Sequence, residues 1–103
     1  MRVAVAAAAP DLLGPMSQHG ARAPFFLIFD GGGNLVETLA NPHAQKADHV
    51  GELTAEWLAG KEITIVVSPH FGPYYRDALT KRGIRFLEHD GIVNDIVKEI
   101  GSS

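Results

Sequence analysis

Two short segments carry the side chains best suited to binding. Ser17-Gln18-His19-Gly20-Ala21-Arg22-Ala23-Pro24 places an imidazole and a guanidinium within four residues, and Ser68-Pro69-His70-Phe71-Gly72-Pro73-Tyr74-Tyr75 places a second imidazole among aromatics. Neutral imidazole is a good ligand for iron, copper, nickel or zinc. Arg22 can hold a carboxylate, a phosphate or a sulfide-rich cluster through charge-assisted hydrogen bonds, and Ser17 and Ser68 add hydroxyls for an anionic cofactor. The chain has no cysteine, which removes thiolate ligands, thiol nucleophiles and disulfides. Its histidines show no H-x-x-x-H or H-E-x-x-H spacing, so no specific metal signature is present. Gly31-Gly32-Gly33 lacks the lysine and following helix of a phosphate loop and reads as a hairpin turn.

The elements that must position these residues follow from periodicity. Arg2 to Ala8 is a short apolar run and a first strand; Phe25 to Asp30 and Leu35 to Ala40 are two more, joined by the glycine turn. Leu53, Trp57 and Leu58 recur at helical spacing in a helix that starts near Asp48 or His49 and stops at Gly60. Ile63 to Val67 is β-branched and forms the fourth strand. A helix follows Pro73 as far as Arg82, with Tyr75, Ala78 and Leu79 inward and Gly83 as its stop. Ile84 to Leu87 is the fifth strand. Val93, Ile96, Val97 and Ile100 mark a last helix, with Gly101-Ser102-Ser103 as a tail. Two hairpin-like connections followed by two helical crossovers give a three-layer α/β/α fold on a five-stranded mixed sheet. Strand order 3-2-1-4-5 with strand 2 antiparallel is the ribonuclease H-like motif.

In that arrangement all five histidines fall at the carboxyl edge of the parallel strands. Ligands of open α/β sheets bind at this edge where strand order reverses. The reversal lies between strands 1 and 4, so His19 and His70 are expected to approach each other. His43, after the edge strand, is a supporting ligand; His49 reads as a helix N-terminal residue and His89 as solvated. Polar residues belong in loops anyway, so part of this clustering is what any such chain would give.

Composition narrows the class. At 103 residues, 46% apolar and 20% charged, the chain is read as a single domain spanning 1–103, and the net charge of −3 argues against a nucleic-acid partner. No run has transmembrane length, and the alanine-weighted start is a better strand than a signal peptide, so a cytoplasmic protein is expected. A nuclease of this topology needs several carboxylates near the first strand. Arg2 to Ala9 holds none and Asp11 alone makes no site. No nucleophile, acid pair or metal triad suggests another enzyme.

The opening Met1-Arg2-Val3-Ala4-Val5, the loop Ser17 to Phe26, the hairpin end Asn41-Pro42, and Gly72-Pro73 through Gly83-Ile84 together resemble the dinitrogenase iron–molybdenum cofactor biosynthesis family, of the NifX and NifB C-terminal type. The family's first-loop pattern is close to S-x-H-F-G-R-A. This chain keeps Ser17, His19, Arg22 and Ala23 but has Gly20-Ala21 in place of phenylalanine and glycine, while Ser68-Pro69-His70-Phe71-Gly72 supplies a similar string in the other loop. The resemblance implies a non-catalytic carrier of an iron–sulfur or iron–molybdenum cluster or its precursor. Together, the loop motif and the histidines gathered at the reversal edge give Ser17, His19, Arg22, Ser68 and His70 as expected cofactor-binding residues and His19, His70 and His43 as expected metal ligands, with cluster donor or acceptor proteins as the partners the resemblance implies. The alternative is a cofactor-free interaction or homodimerisation module whose contacts are Phe25, Phe71 and Tyr74.

Overall fold

A computed structural model describes residues 1–101, without the side chains of 100 and 101. Ile100 as part of an apolar helix face, and the Ser102-Ser103 tail, therefore lie outside the described residues. The elements are β1 (Val3–Ala7), β2 (Phe25–Phe29), β3 (Leu35–Ala40), α1 (Val50–Gly60), β4 (Ile65–Ser68), α2 (Pro73–Lys81), β5 (Arg85–Glu88) and α3 (Val93–Gly101). Sheet order is β3-β2-β1-β4-β5. β1 pairs antiparallel with β2 and parallel with β4, β2 pairs antiparallel with β3, and β4 pairs parallel with β5. The expected fold class is observed, including the antiparallel second strand.

β1 is buried along its whole length, and its alternation distributes two cores. Ala4 and Ala6 join Phe26, Ile28 and Val66 beneath α1 and α2, against Ala55, Leu58 and Leu79. Val3, Val5 and Ala7 join Leu27, Phe29, Ile65 and Val67 beneath α3, against Val93, Ile96 and Val97. Helices thus cover both faces, which makes the three layers. Among the described residues no helix is long and apolar enough to cross a membrane.

Several boundaries differ from the sequence reading for physical reasons. β4 begins at Ile65 rather than Ile63, because Glu62 has φ 62° and Thr64 first donates its N–H to the Arg2 carbonyl. Ile63 is still buried, packed in from the connection. α1 turns Val50, Thr54, Ala55 and Leu58 inward, leaving Leu53 and Trp57 half-buried. The small face is demanded by α2, since a Cβ on Gly51 would sit 3.1 Å from the Tyr75 backbone nitrogen. Asp30 closes the glycine turn. Its Oδ1 accepts from the N–H of Gly32 (2.9 Å) and Asn34 (3.0 Å) and from the Asn34 amide, and these bonds, those of Asn34 foremost, hold its pKa below the ordinary value.

Phe71 corrects a further reading. It was expected as an interface contact, yet it is only 2% exposed and packs on Tyr75 (ring centroids 5.6 Å) and Phe86 (5.1 Å). An aromatic ring at the end of the central strands is worth more as core than as contact. Phe71→Ala is expected to lower unfolding free energy by about 3–5 kcal/mol, read by chemical denaturation. A loss below ~1 kcal/mol would contradict its place in the core.

Candidate functional site

The two histidine loops are built by the same turn. Ser17 Oγ accepts the His19 N–H (3.1 Å) and donates to the His19 carbonyl (3.2 Å). Ser68 Oγ accepts the His70 N–H (3.4 Å) and donates to the His70 carbonyl (3.1 Å). Both serines are buried, 3% and 0% exposed. A short hydroxyl side chain bonding the backbone two residues on fixes the turn locally. The hydroxyls expected at a cofactor are thus engaged with the backbone of each histidine.

The turns stand side by side, because Ser68 closes β4 while Ser17 donates its N–H to Ala6 on the adjacent β1. They touch at Gly20. A Cβ there would lie only 2.4 Å from the His70 carbonyl oxygen, so this position takes no side chain without moving a loop. That close approach accounts for glycine where the family pattern has phenylalanine.

The Gly20–Arg22 segment is clamped from the other side by the β3–α1 connection. Buried Asn41 donates to the carbonyls of Ala21 (2.9 Å) and Ala23 (3.0 Å), and Thr54 donates to Ala21 (2.8 Å). Arg22 donates to the carbonyls of Lys46 (2.6 Å) and Ala47 (3.2 Å). Gln18 reaches the Asp90 carboxylate at 3.2 Å. Arg22 is therefore partly a strut, held by neutral carbonyls.

These loops form one wall of an open groove of about 730 Å³ between the first turns of α1 and α2. That volume is within the range of small-molecule and cofactor sites. His19, His70 and Arg22 all border it, and so does His49. His49 takes φ 58° at the N-cap of α1, and neither α1 nor α2 has a side-chain cap. Two uncapped helix N-termini, each with free backbone N–H groups and a positive dipole end, thus flank the groove. Lys81 and Arg82 add positive charge along α2, opposed by Glu52 and Asp77. The surroundings suit an anion.

His43 departs from expectation. It does not border the groove and packs edge-on against Trp57 (ring centroids 6.4 Å), with its Nδ1 buried and unpartnered. The edge strand carries it away from the reversal point. His89 is exposed and lies 3.2 Å from Glu99. Among the described residues no three His, Cys, Asp or Glu side chains come together to hold a metal ion, so His19, His43 and His70 do not form one centre. Sequence reasoning missed His49, Lys81 and Arg82. A histidine immediately before a helix at the carboxyl edge was the available signal for His49; nothing local marked the other two.

Over residues 1–103 the sequence matches the family described as dinitrogenase iron-molybdenum cofactor. No curated protein matches. Among solved structures the chain is similar to the apo form of the orange protein from Desulfovibrio gigas, with 26% identity, TM-score 0.88, and coverage of 95% of this chain and 84% of that one. It is also similar to a Thermotoga protein of the DUF35 family, with 24% identity, TM-score 0.82, and coverage of 99% and 88%. The latter likeness concerns the fold.

Two outcomes test the geometry. Gly20→Ala is expected to destabilise by about 1–3 kcal/mol, whereas Gly60→Ala, with no atom within 4 Å of the added Cβ, is neutral or stabilising. Thermal unfolding of the pair checks this. The His43 pKa is lowered by burial first and by Lys46 second, with Glu56 opposing. With the folded value below the unfolded one, its stabilising contribution is present above about pH 6.5 and is lost as pH falls through the folded value. His43→Gln is expected to flatten that acid limb of the stability profile.

Proposed function

The chain belongs to the dinitrogenase iron-molybdenum cofactor family, and from that premise we propose that it is a non-catalytic carrier of an anionic iron–sulfur or iron–molybdenum cluster or its precursor. Residues 1–103 act in this reading as one cofactor-handling domain. The observation that supports it most directly is the pairing of two identical serine–histidine turns at the head of one groove, with His19, His70 and Arg22 at its edge. His49 joins them and His43 is withdrawn from the ligand set. The donor set fits such a cargo: imidazoles for metal, guanidinium and uncapped helix N–H groups for the charge of bridging sulfides or oxo groups. With no cysteine the hold is by imidazole, hydrogen bonds and field, which suits a cargo that must leave again.

Tyr74, 85% exposed on the groove's rim, is the contact offered to a donor or acceptor protein. The cofactor-free reading loses its central residue with Phe71 in the core.

Anaerobic titration with ferrous iron, sulfide and molybdate, followed by visible absorption, tests the proposal. His19→Ala/His70→Ala is expected to weaken uptake at least about tenfold, an amount equal to the loss of one good interaction. Equal uptake by the double variant and the wild type would sink the assignment.

A further inference from the structure

The sheet ends on β3, and that edge is open to pairing. β3 runs six residues and is exposed along nearly its whole length, with Leu35 41% and Val36 45% exposed. An edge strand presents a row of unpaired N–H and C=O groups, which proteins ordinarily blunt with charge, proline or a short length. β5, the other edge, is blunted in this way: it has four residues, with Arg85 and Glu88 at its ends. β3 contains no lysine or proline, and its one charged residue, Glu37, is bonded to Arg2 of the same chain at 2.8 Å.

The pairing with β2 decides which backbone groups are free. Asn41 donates its N–H to the Pro24 carbonyl (2.9 Å), and further along Leu39 stands opposite Phe26 and Glu37 opposite Ile28. Bonded pairs alternate along an antiparallel ladder, so Leu39 and Glu37 bond to β2 while Thr38 and Ala40 turn N–H and C=O outward. The register shift at Ile28 and Phe29 interrupts this alternation, which confines an added strand to the Glu37–Asn41 end. The same strand of a second copy fits there. With the two strands antiparallel about Leu39, Thr38 of each copy meets Ala40 of the other, and each such pair exchanges both N–H···O bonds. Leu39 then faces its own counterpart and Glu37 faces Asn41, so no like charges stand opposite each other.

We propose that the chain forms a symmetric homodimer through β3, which joins two five-stranded sheets into one. The occupant of the edge is a second copy because the strand complements itself in both hydrogen bonding and charge. β3 runs parallel to β1, since each is antiparallel to β2. Antiparallel pairing therefore sends the two carboxyl edges to opposite ends of the dimer and leaves each groove open. The inference is independent of the carrier reading.

Sedimentation of the full chain at rising concentration, up to about 1 mM, is expected to show a weak monomer–dimer equilibrium. Thr38→Pro removes an outward N–H without touching the β2 ladder. It is expected to weaken dimerisation at least about tenfold, while Thr38→Val, which keeps the N–H, dimerises as wild type does. Amide hydrogen exchange of the wild type gives a readout that needs no variant. The Thr38 and Ala40 amides should exchange freely in dilute protein and gain protection as concentration rises, whereas the Leu39 amide is protected throughout. A chain that stays monomeric, a dimer that survives in a folded Thr38→Pro variant, or a dimer in which the Thr38 and Ala40 amides stay unprotected would each overturn the proposal.

Discussion

The site depends on one close approach: the backbone of Gly20 against the carbonyl oxygen of His70. Everything above the sheet edge follows from it. Each turn is already rigid, because a buried serine bonds both the N–H and the carbonyl of its histidine. Two rigid turns on neighbouring parallel strands have a fixed separation, set by the ladder spacing of β1 and β4. The absent side chain at residue 20 lets them meet rather than merely stand parallel. Any larger residue would open a wedge between them and move the two turns apart.

That junction would be loose without its outer clamp. Asn41 and Thr54 are among the few buried polar side chains, and both spend their donors on the carbonyls of Ala21 and Ala23. Buried polar groups stabilise only when paired, so this cluster fixes one conformation of the loop instead of adding net stability. Arg22 completes the clamp through Lys46 and Ala47. It is held in place by neutral acceptors, which leaves its positive charge uncancelled by any carboxylate among the described residues. A guanidinium fixed in this way is preorganised for an anion, since little further ordering is needed on binding.

The sheet was legible because its signal is repeated many times. Val3–Ala7, Phe25–Phe29 and Ile65–Val67 are apolar at every residue, and β1 is read correctly even though it is mostly alanine. Placing His19 and His70 at the reversal of strand order needed only that topology. His43 stands off the groove. Edge proximity is a one-dimensional argument. It gives height above the sheet but not lateral position, and β3 lies two strands from the reversal. Along α1 hydrophobicity marked Trp57, which packs on the core edge-on to Phe26, whereas close packing on α2 required small residues beside Gly51. A close helix contact is a property of the pair, and neither helix carries it alone.

A net charge of −3 does not set the charge at the groove. Whole-chain charge governs solubility and non-specific association, while a groove responds to the nearest groups. At this groove α1 and α2 both begin without side-chain caps, and Arg22 and Lys81 face Asp77, while Arg82 is paired with Glu52 and Glu56 at 4.0 Å. Capping serines or aspartates at positions 49 and 72 would have stabilised both helices by about 0.5–2 kcal/mol each. The chain has His49 and Gly72 there instead, one in a left-handed conformation. Two helices left without caps at one edge place several local costs in a single small region. Costs concentrated in this way are what a site built to be completed by a ligand would carry.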